Sequence, residues 1–304
     1  MTRARYLAAI IDAINNAAWA PFGALLLPAG FFRLRGSVLG LTSTARRAFL
    51  AASPLGAICT QAARELSDAT SAILVVGVET SSPAGSRYSG DQLMTAWGPR
   101  GLHAIARKVF PSNADTTGVG KRPYVVDASD AGSVSREVML ANRKLAALLV
   151  CYDAFAPTEA RRGPTSKLSA IRYLHTRAGD TIRPALEDRW AVVERLDWRL
   201  RGVDLLLVGV HGFQRPGRDL YWQRHGIATA SAALGGTPIA GAAHYVHGLP
   251  NPLGPAFLAA AAVPFRHLSL GLQRPARRLM PLDGLVVHDG GRGDPIAAVQ
   301  LLAL

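Results

Sequence analysis

The 304-residue sequence has only two cysteines, few aromatic residues and no long apolar run. Cys59 and Cys151 are too far apart for a CxxC or zinc pattern, and two cysteines cannot form a disulfide framework. The apolar stretches Phe22–Leu27 and Leu253–Phe265 are too short or too interrupted to cross a bilayer. Asp12 breaks the apolar stretch that a signal peptide would need. We therefore expect free thiols, no metal, no membrane segment and a cytoplasmic location.

Basic residues outnumber acidic ones by 34 to 21, which gives a formal net charge of +13 at pH 7. Such a surface attracts polyanions. However, the basic residues are scattered, and no basic run is interleaved with aromatic residues as in a nucleic-acid-binding module. Only four of the 34 are lysine, so a compositional preference for arginine accounts for the charge as well as binding would. Nucleic acid is not an expected partner.

Short apolar runs alternate with helical periodicity, which predicts one α/β domain over residues 1–304. Tyr6–Ala18 and Ser53–Leu66 have the apolar spacing of helices. Phe22–Leu27 and Ser71–Val78 are continuous apolar runs, typical of strands buried on both faces. The charged region Thr176–Arg201 is predicted to be a mostly exposed helix or loop. Further strands are predicted at Gln92–Thr95, Ala104–Val109, Leu145–Tyr152, Val203–Val210, Thr237–Ala242, Leu285–His288 and Ala297–Leu304, and helices in part of Arg161–Tyr173 and over Asp219–Leu234.

Cys151 stands where the apolar run of Leu148–Pro157 stops and polar turn residues begin. A strand end holds the sulfur rigidly, and a tight turn exposes the thiol. The turn also directs backbone N–H groups, here that of Tyr152, at a developing oxyanion. A cysteine in this position can act as a nucleophile. The same pattern also fits a small buried hydrophobic residue, so the spacing alone leaves both interpretations open.

Motifs in the order found here resemble those of the nitrilase superfamily of carbon–nitrogen hydrolases. Cys151–Pro157 (CYDAFAP) resembles the segment around that family's nucleophile, and Ala106–Phe110 resembles the segment around its catalytic lysine. Gly202–Val208 resembles its Gly-Ala-Asp strand, and Tyr221–His225 resembles part of the helix that follows. The resemblance covers about residues 5 to 245.

This resemblance implies an α/β fold, namely a nitrilase-like αββα sandwich whose first strand is lacking or truncated. It implies a homo-oligomer that uses no cofactor. The implied reaction is cleavage of a small-molecule amide or nitrile C–N bond, or transfer of the acyl group, through a thioester on Cys151. Lys108 matches the catalytic lysine, which stabilises the tetrahedral oxyanion.

Ala29 departs from the family pattern, in which a catalytic glutamate follows Leu-Pro at the end of an early strand. The glutamate takes the thiol proton and later activates water, and alanine can do neither. Three hypotheses follow: the protein is a catalytically silent binding or assembly protein, another carboxylate substitutes, or the alanine was engineered. Glu79, Asp115 and Asp153 are the candidate carboxylates. Residues 229–236 also lack polar residues usual in the family, which favours divergence over a designed change.

Polar and aromatic residues after the predicted strands are candidates for the substrate pocket. His211 follows the strand predicted at Val203–Val210, and His244 lies close to His247 in the sequence. Two imidazoles do not make a metal site, because a third ligand is needed and none is near in the sequence. The pocket candidates are His211, Phe213, Trp222 and His244.

Overall fold

The computed structural model describes residues 2–82, 86–112, 115, 122–161, 168, 170–176, 180–186, 188–211, 226–244, 279–288 and 295–303. The helices are α1 (Thr2–Asn16), α2 (Ser43–Ala51), α3 (Pro54–Thr70), α4 (Ala156–Arg161), α5 (Asp188–Leu200) and α6 (Thr229–Ala233). The strands are β1 (Ala24–Leu26), β2 (Phe32–Leu34), β3 (Ile73–Thr80), β4 (Gln92–Gly98), β5 (Gly101–Arg107), β6 (Val125–Asp127), β7 (Glu137–Met139), β8 (Leu145–Val150), β9 (Tyr173–Thr176), β10 (Thr181–Pro184), β11 (Leu205–Val210), β12 (Ile239–Ala243), β13 (Met280–His288) and β14 (Pro295–Ala303). In this part of the chain, no helix is long and apolar enough to cross a membrane.

The bounds of α3 show how local sequence signals define an element. The Ser53 side chain accepts a hydrogen bond from the Gly56 N–H, and Pro54 occupies the first turn, where a missing N–H costs nothing. At the other end, Ser71 takes a left-handed conformation with φ of 61°, and its N–H donates to the Ser67 carbonyl. The apolar face of the helix then packs on the first sheet.

Two sheets form the centre of the molecule. The first has the order β1-β3-β4-β5, with β2 also paired to β3, and the second has the order β12-β11-β8-β7. Strands β1 and β2 run parallel to β3, and β8, β11 and β12 run parallel to one another. Because β8 contacts β4 and β5, the two sheets pack face to face.

Helices cover the outer faces of both sheets. On one side, α1 and α3 share an apolar core with the outward residues of β3 and β4, including Leu74, Val76 and Trp97. On the other side, Val192 and Leu196 of α5 belong to the core that lies between the sheets and continues behind the second sheet. The layers are therefore helix, sheet, sheet and helix, which confirms the predicted αββα sandwich.

Some local predictions were wrong. Of the helix predicted in part of Arg161–Tyr173, the structure shows only the last residue of α4, Arg161; residues 170–172 are not helical, and residues 162–167 and 169 lie outside the described part of the chain. Within Thr176–Arg201, α5 is not mostly exposed, because its apolar stripe is buried in the core under the second sheet. The described α-helix within Asp219–Leu234 is only α6, and residues 219–225 lie outside the described part of the chain. Helix α2 was not predicted, because its sequence contains two arginines and only Arg46 and Leu50 are buried, which gives little apolar periodicity.

Gly77 in β3 allows the loop that carries Ala29 to pass close to the strand. A Cβ atom on Gly77 would lie 2.2 Å from the Pro28 carbonyl oxygen and 2.4 Å from the Ala29 Cα. Backbone atoms cannot rotate out of the way, so we expect Gly77→Ala to lower the free energy of unfolding by about 2 kcal/mol or more in urea denaturation. Gly132→Ala is the control, because nothing lies within 4 Å of its added Cβ. Equal losses in both variants would contradict the proposed contact.

Candidate active site

The site lies where strands of both sheets end on the same side of the molecule. Glu79 is the penultimate residue of β3, Lys108 follows β5, and Cys151 follows β8. His211 and His244 follow the parallel strands β11 and β12, and the His244 N–H donates to the His211 carbonyl. In parallel sheets, groups that bind or react collect at the carboxyl ends of strands, as they do here.

Cys151 begins the 3-10 helix Cys151–Phe155 directly after β8. Its φ of 48° is left-handed, a conformation that costs free energy for a residue with a side chain and is often found at functional sites. The side chain is largely buried, and the residue packs into the core between the sheets. The ring of the next residue, Tyr152, stacks on Phe155 at 4.4 Å between centroids. These contacts fix the turn that presents the sulfur.

Arg107 fixes the end of β5 that carries Lys108. Its Nε donates to Asp91 Oδ1 at 2.7 Å, and its Nη2 donates to the Val125 carbonyl at 2.7 Å. Successive side chains of an extended strand point in opposite directions, so this anchor directs Lys108 away from Asp91. The Lys108 carbonyl in turn accepts a hydrogen bond from the Tyr124 hydroxyl.

The Lys108 side chain is fully buried, and its Nζ donates to Asp115 Oδ2 at 2.6 Å and to Gln92 Oε1 at 2.9 Å. Burial disfavours the ammonium, but the negative charges of Cys151 and Asp115 raise the pKa of Lys108 above its ordinary value. Lys108 is therefore a fixed cation, close enough to Cys151 to stabilise negative charge there.

Asp115 and Asp153 are both engaged in other interactions. Burial alone would raise the pKa of Asp115, but the Lys108 ammonium and hydrogen bonds from Gln92 and Ser112 hold it well below its usual range. Asp153 accepts hydrogen bonds from the Val109 and Phe110 N–H groups, at 2.9 and 2.7 Å. It thereby joins the segment after Lys108 to the turn that begins at Cys151, which is a positioning role.

Glu79, the third candidate carboxylate, reaches the cysteine through a histidine. His211 Nε2 and Glu79 Oε1 are 2.5 Å apart. The hydrogen bond and positive charge of His211 lower the pKa of Glu79, although burial opposes this shift. Hydrogen bonds with the Cys151 side chain and with Glu79 raise the pKa of His211 to about 9. Cys151 and His211 follow the neighbouring parallel strands β8 and β11, where Gly209 pairs with Val150, so that Cys151, His211 and Glu79 lie together at these strand ends.

The Ala29 segment forms the wall beside this chain. Ala29 is buried, and its carbonyl accepts a hydrogen bond from His244 Nε2 at 2.8 Å. The following residue, Gly30, has a φ of 65°, and a Cβ there would lie 3.0 Å from both His211 Nε2 and the Glu79 carboxyl carbon. The Ala29 segment, where the sequence resemblance predicted a glutamate, therefore lies next to the His211 and Glu79 pair.

The structure brings Ala29, Lys108, Cys151, Glu79 and His211 together, with Asp115 behind the lysine. Phe213, Trp222 and His247 lie outside the described residues. Gln92 was not predicted as a site residue, yet its amide bridges Lys108 and Asp115. Only its pairing with Glu79 across β3 and β4 shows that it faces the site. In the described part of the chain, no group of three or more histidine, cysteine, aspartate or glutamate residues is arranged to hold a metal ion.

Solved structures with similar folds include a mutant of the amidase from Nesterenkonia sp. AN1 with acrylamide added to its active-site cysteine. It matches at 16% identity and a TM-score of 0.42, over 79% of this chain and 70% of that one. A CN-hydrolase superfamily protein from Xanthomonas campestris, with an arsenic adduct in its active site, matches at 14% identity and a TM-score of 0.42, over 81% and 70%.

No protein-family model and no curated protein matches the chain. At such low identity, neither structural likeness indicates which residues of this chain react. The two facing sheets and the helix layers outside them are observed directly in this chain and do not depend on those likenesses. By this architecture, the chain has an αββα fold, with two facing sheets between outer helices.

Proposed function

We propose that the protein is a carbon–nitrogen hydrolase of the nitrilase superfamily, which cleaves an amide or nitrile, or transfers its acyl group, through a thioester on Cys151. The observation that supports this function best is the pairing of a strained strand-end cysteine with a buried cation. Cys151 has a φ of 48°, and Lys108 is fully buried beside it. A nucleophile and a fixed positive charge are what acyl transfer requires.

In this reaction, the sulfur of Cys151 attacks the carbonyl carbon, and the carbonyl electron pair moves to the oxygen. The Lys108 ammonium and the Tyr152 N–H stabilise the oxyanion. When the carbonyl forms again, the C–N bond breaks, and the amine leaves with the proton that the thiol has lost. Water then cleaves the thioester, or a second amine accepts the acyl group.

A small amide or nitrile is the proposed substrate class, because the reactive groups are largely buried. The homo-oligomer implied by the family resemblance also remains a proposal.

The alternative function is a catalytically silent protein of the same fold that serves in binding or assembly. Ala29 favours it, because the carboxylate that the family uses is missing. The two functions differ in whether Cys151 can be acylated, since a silent protein has no need of a reactive thiol. The Lys108 cation beside the sulfur favours the enzyme.

Intact-protein mass spectrometry after incubation with p-nitrophenyl acetate tests the proposal. We expect one added acetyl group, located on Cys151 by peptide mapping. Cys59 is the internal control, because burial raises the pKa of its thiol to about 12 and keeps it unreactive. If no adduct forms on Cys151, even in an Ala29→Glu variant, the enzyme hypothesis is wrong and the silent protein is favoured.

A further inference from the structure

We propose that His211 is the catalytic base and acid of this site, oriented by Glu79, so that a Cys151–His211–Glu79 triad replaces the missing glutamate. The proposal deepens the proposed function and rests on it. Among the three carboxylates considered from the sequence, it selects Glu79. It assigns Glu79 a positioning role rather than direct contact with the sulfur.

The first observation is the contact between His211 and Glu79. The two residues lie 132 positions apart in sequence, on different sheets, yet His211 Nε2 is 2.5 Å from Glu79 Oε1. Glu79 is partly buried, with 27% of its side chain exposed, and Arg33 Nε lies 3.8 Å from its other oxygen. A carboxylate on one ring nitrogen fixes the tautomer and the orientation of an imidazole. Because Nε2 contacts Glu79, the proposal assigns proton exchange with Cys151, which follows the neighbouring strand β8, to Nδ1.

The second observation is that the pair occupies the neighbourhood of the lost carboxylate. A Cβ on Gly30, the residue after Ala29, would lie within 3.0 Å of both partners. Asp115 is bound to Lys108, and Asp153 is bound to the backbone of Val109 and Phe110. Among these three acidic side chains, Glu79 is the one that contacts His211, and His211 follows the strand next to the one that Cys151 follows.

The charges around the pair are consistent with proton exchange. Hydrogen bonds with Cys151 and Glu79 raise the pKa of His211 to about 9, so the imidazolium is stabilised while the thiolate and carboxylate are nearby. Burial and the charge of Arg3 lower the pKa of His244, which keeps that second imidazole neutral beside His211. Among the residues that the structure describes, the titratable and charged groups that face His211 and its partners are Glu79 on β3, Arg33 on β2, Lys108 after β5, Cys151 after β8, His244 after β12 and Arg3 on α1.

Each proton has a donor and an acceptor in this scheme. The His211 imidazolium already holds the thiol proton when the thiolate attacks the carbonyl carbon, and it gives that proton to the amine as the C–N bond breaks. The neutral imidazole next takes a proton from the water that attacks the thioester. The sulfur leaves with the electron pair of the C–S bond, which restores the thiolate and the imidazolium. The balance is amide plus water to carboxylic acid plus amine, and the enzyme is unchanged.

The test measures the rate of iodoacetamide alkylation of Cys151 against pH, by intact-protein mass spectrometry. In the natural sequence, we expect fast alkylation at pH 7 and a change in rate near pH 9, where the His211 imidazolium loses its proton. His211→Gln should alkylate about tenfold more slowly at pH 7, and its rate should climb with pH as the unassisted thiol ionises, so that the rate is no longer already high at neutral pH. Glu79→Gln should move that feature to lower pH, since the carboxylate helps to raise the pKa of His211.

His103→Gln is the matched control, because this histidine lies against Gly98 at the other end of β5 and should leave the profile unchanged. Circular dichroism of each variant establishes that it is folded. An unchanged rate and pH profile in folded His211→Gln would overturn the triad. If His211→Gln does not fold, Glu79→Gln decides the question. A pH profile of alkylation that is not shifted in Glu79→Gln would also overturn the triad.

Alkylation needs no acyl substrate, so this test is separate from acetylation by p-nitrophenyl acetate. Normal alkylation profiles without acetylation would refute the hydrolase but keep the thiol–imidazole pair. Acetylation of Cys151 together with an alkylation profile that is the same in His211→Gln would support the hydrolase but refute the triad. Restoring hydrolysis in His211→Gln by adding Ala29→Glu would further support a shared proton-transfer role at this position.

Discussion

Cys151→Ala is expected to abolish the acyl-enzyme and to lower any amide hydrolysis by about 10⁴-fold or more, since removing a nucleophile removes the covalent route. The substitution deletes only a sulfur atom from a residue held by the 3-10 turn. The fold should therefore survive. Mass spectrometry after acylation, and amine release from a small amide, are the measurements.

Cys59→Ala is the paired control. Cys59 is also buried, but it lies in α3 within the outer core, far from the strand ends that carry the reactive groups. We expect this variant to keep full acylation, with at most a modest loss of stability from the small cavity. Acylation that persisted in Cys151→Ala would show that another group reacts, and the proposed nucleophile would have to be abandoned.

Lys108→Met should lower kcat by about 10² to 10³-fold with little change in KM, because the ammonium acts mainly on charge that develops in the transition state. Methionine keeps much of the side-chain volume in a fully buried position but leaves Asp115 and Gln92 without their cation. The pKa of Asp115 should then rise, since Lys108 no longer lowers it. Steady-state kinetics on a small amide separate the effects on kcat and KM.

The control for this substitution is Lys144→Met. Lys144 is half exposed and directly precedes β8, at the end of the strand opposite Cys151. Its Nζ lies 3.6 Å from Oδ1 of Asp204, which directly precedes β11. A surface pair of this kind contributes little, so activity should stay within about twofold. If Lys108→Met changed KM alone, the lysine would bind substrate without stabilising the oxyanion.

The sequence by itself determined the elements that depend on local patterns. Continuous apolar runs indicated the buried strands β3, β8 and β11, because a strand covered on both faces has no polar side to alternate with. The break in the apolar run after Val150 located the nucleophile candidate at the end of β8. The motifs around Cys151 and Lys108 also indicated the αββα architecture, which the packing of the two sheets confirms.

Only the tertiary structure decided how the charged residues are used. Glu79, Asp115 and Asp153 were equivalent candidates in sequence, and their roles separate only when β3, β5, β8 and β11 are brought together. His211 looked like a residue that contacts substrate, because the carboxylate that orients it lies 132 residues away. Local periodicity encodes which face of a strand is buried, but the partners of a side chain depend on how two sheets face each other. The arrangement of side chains around Ala29 therefore depends on how the two sheets pack against each other.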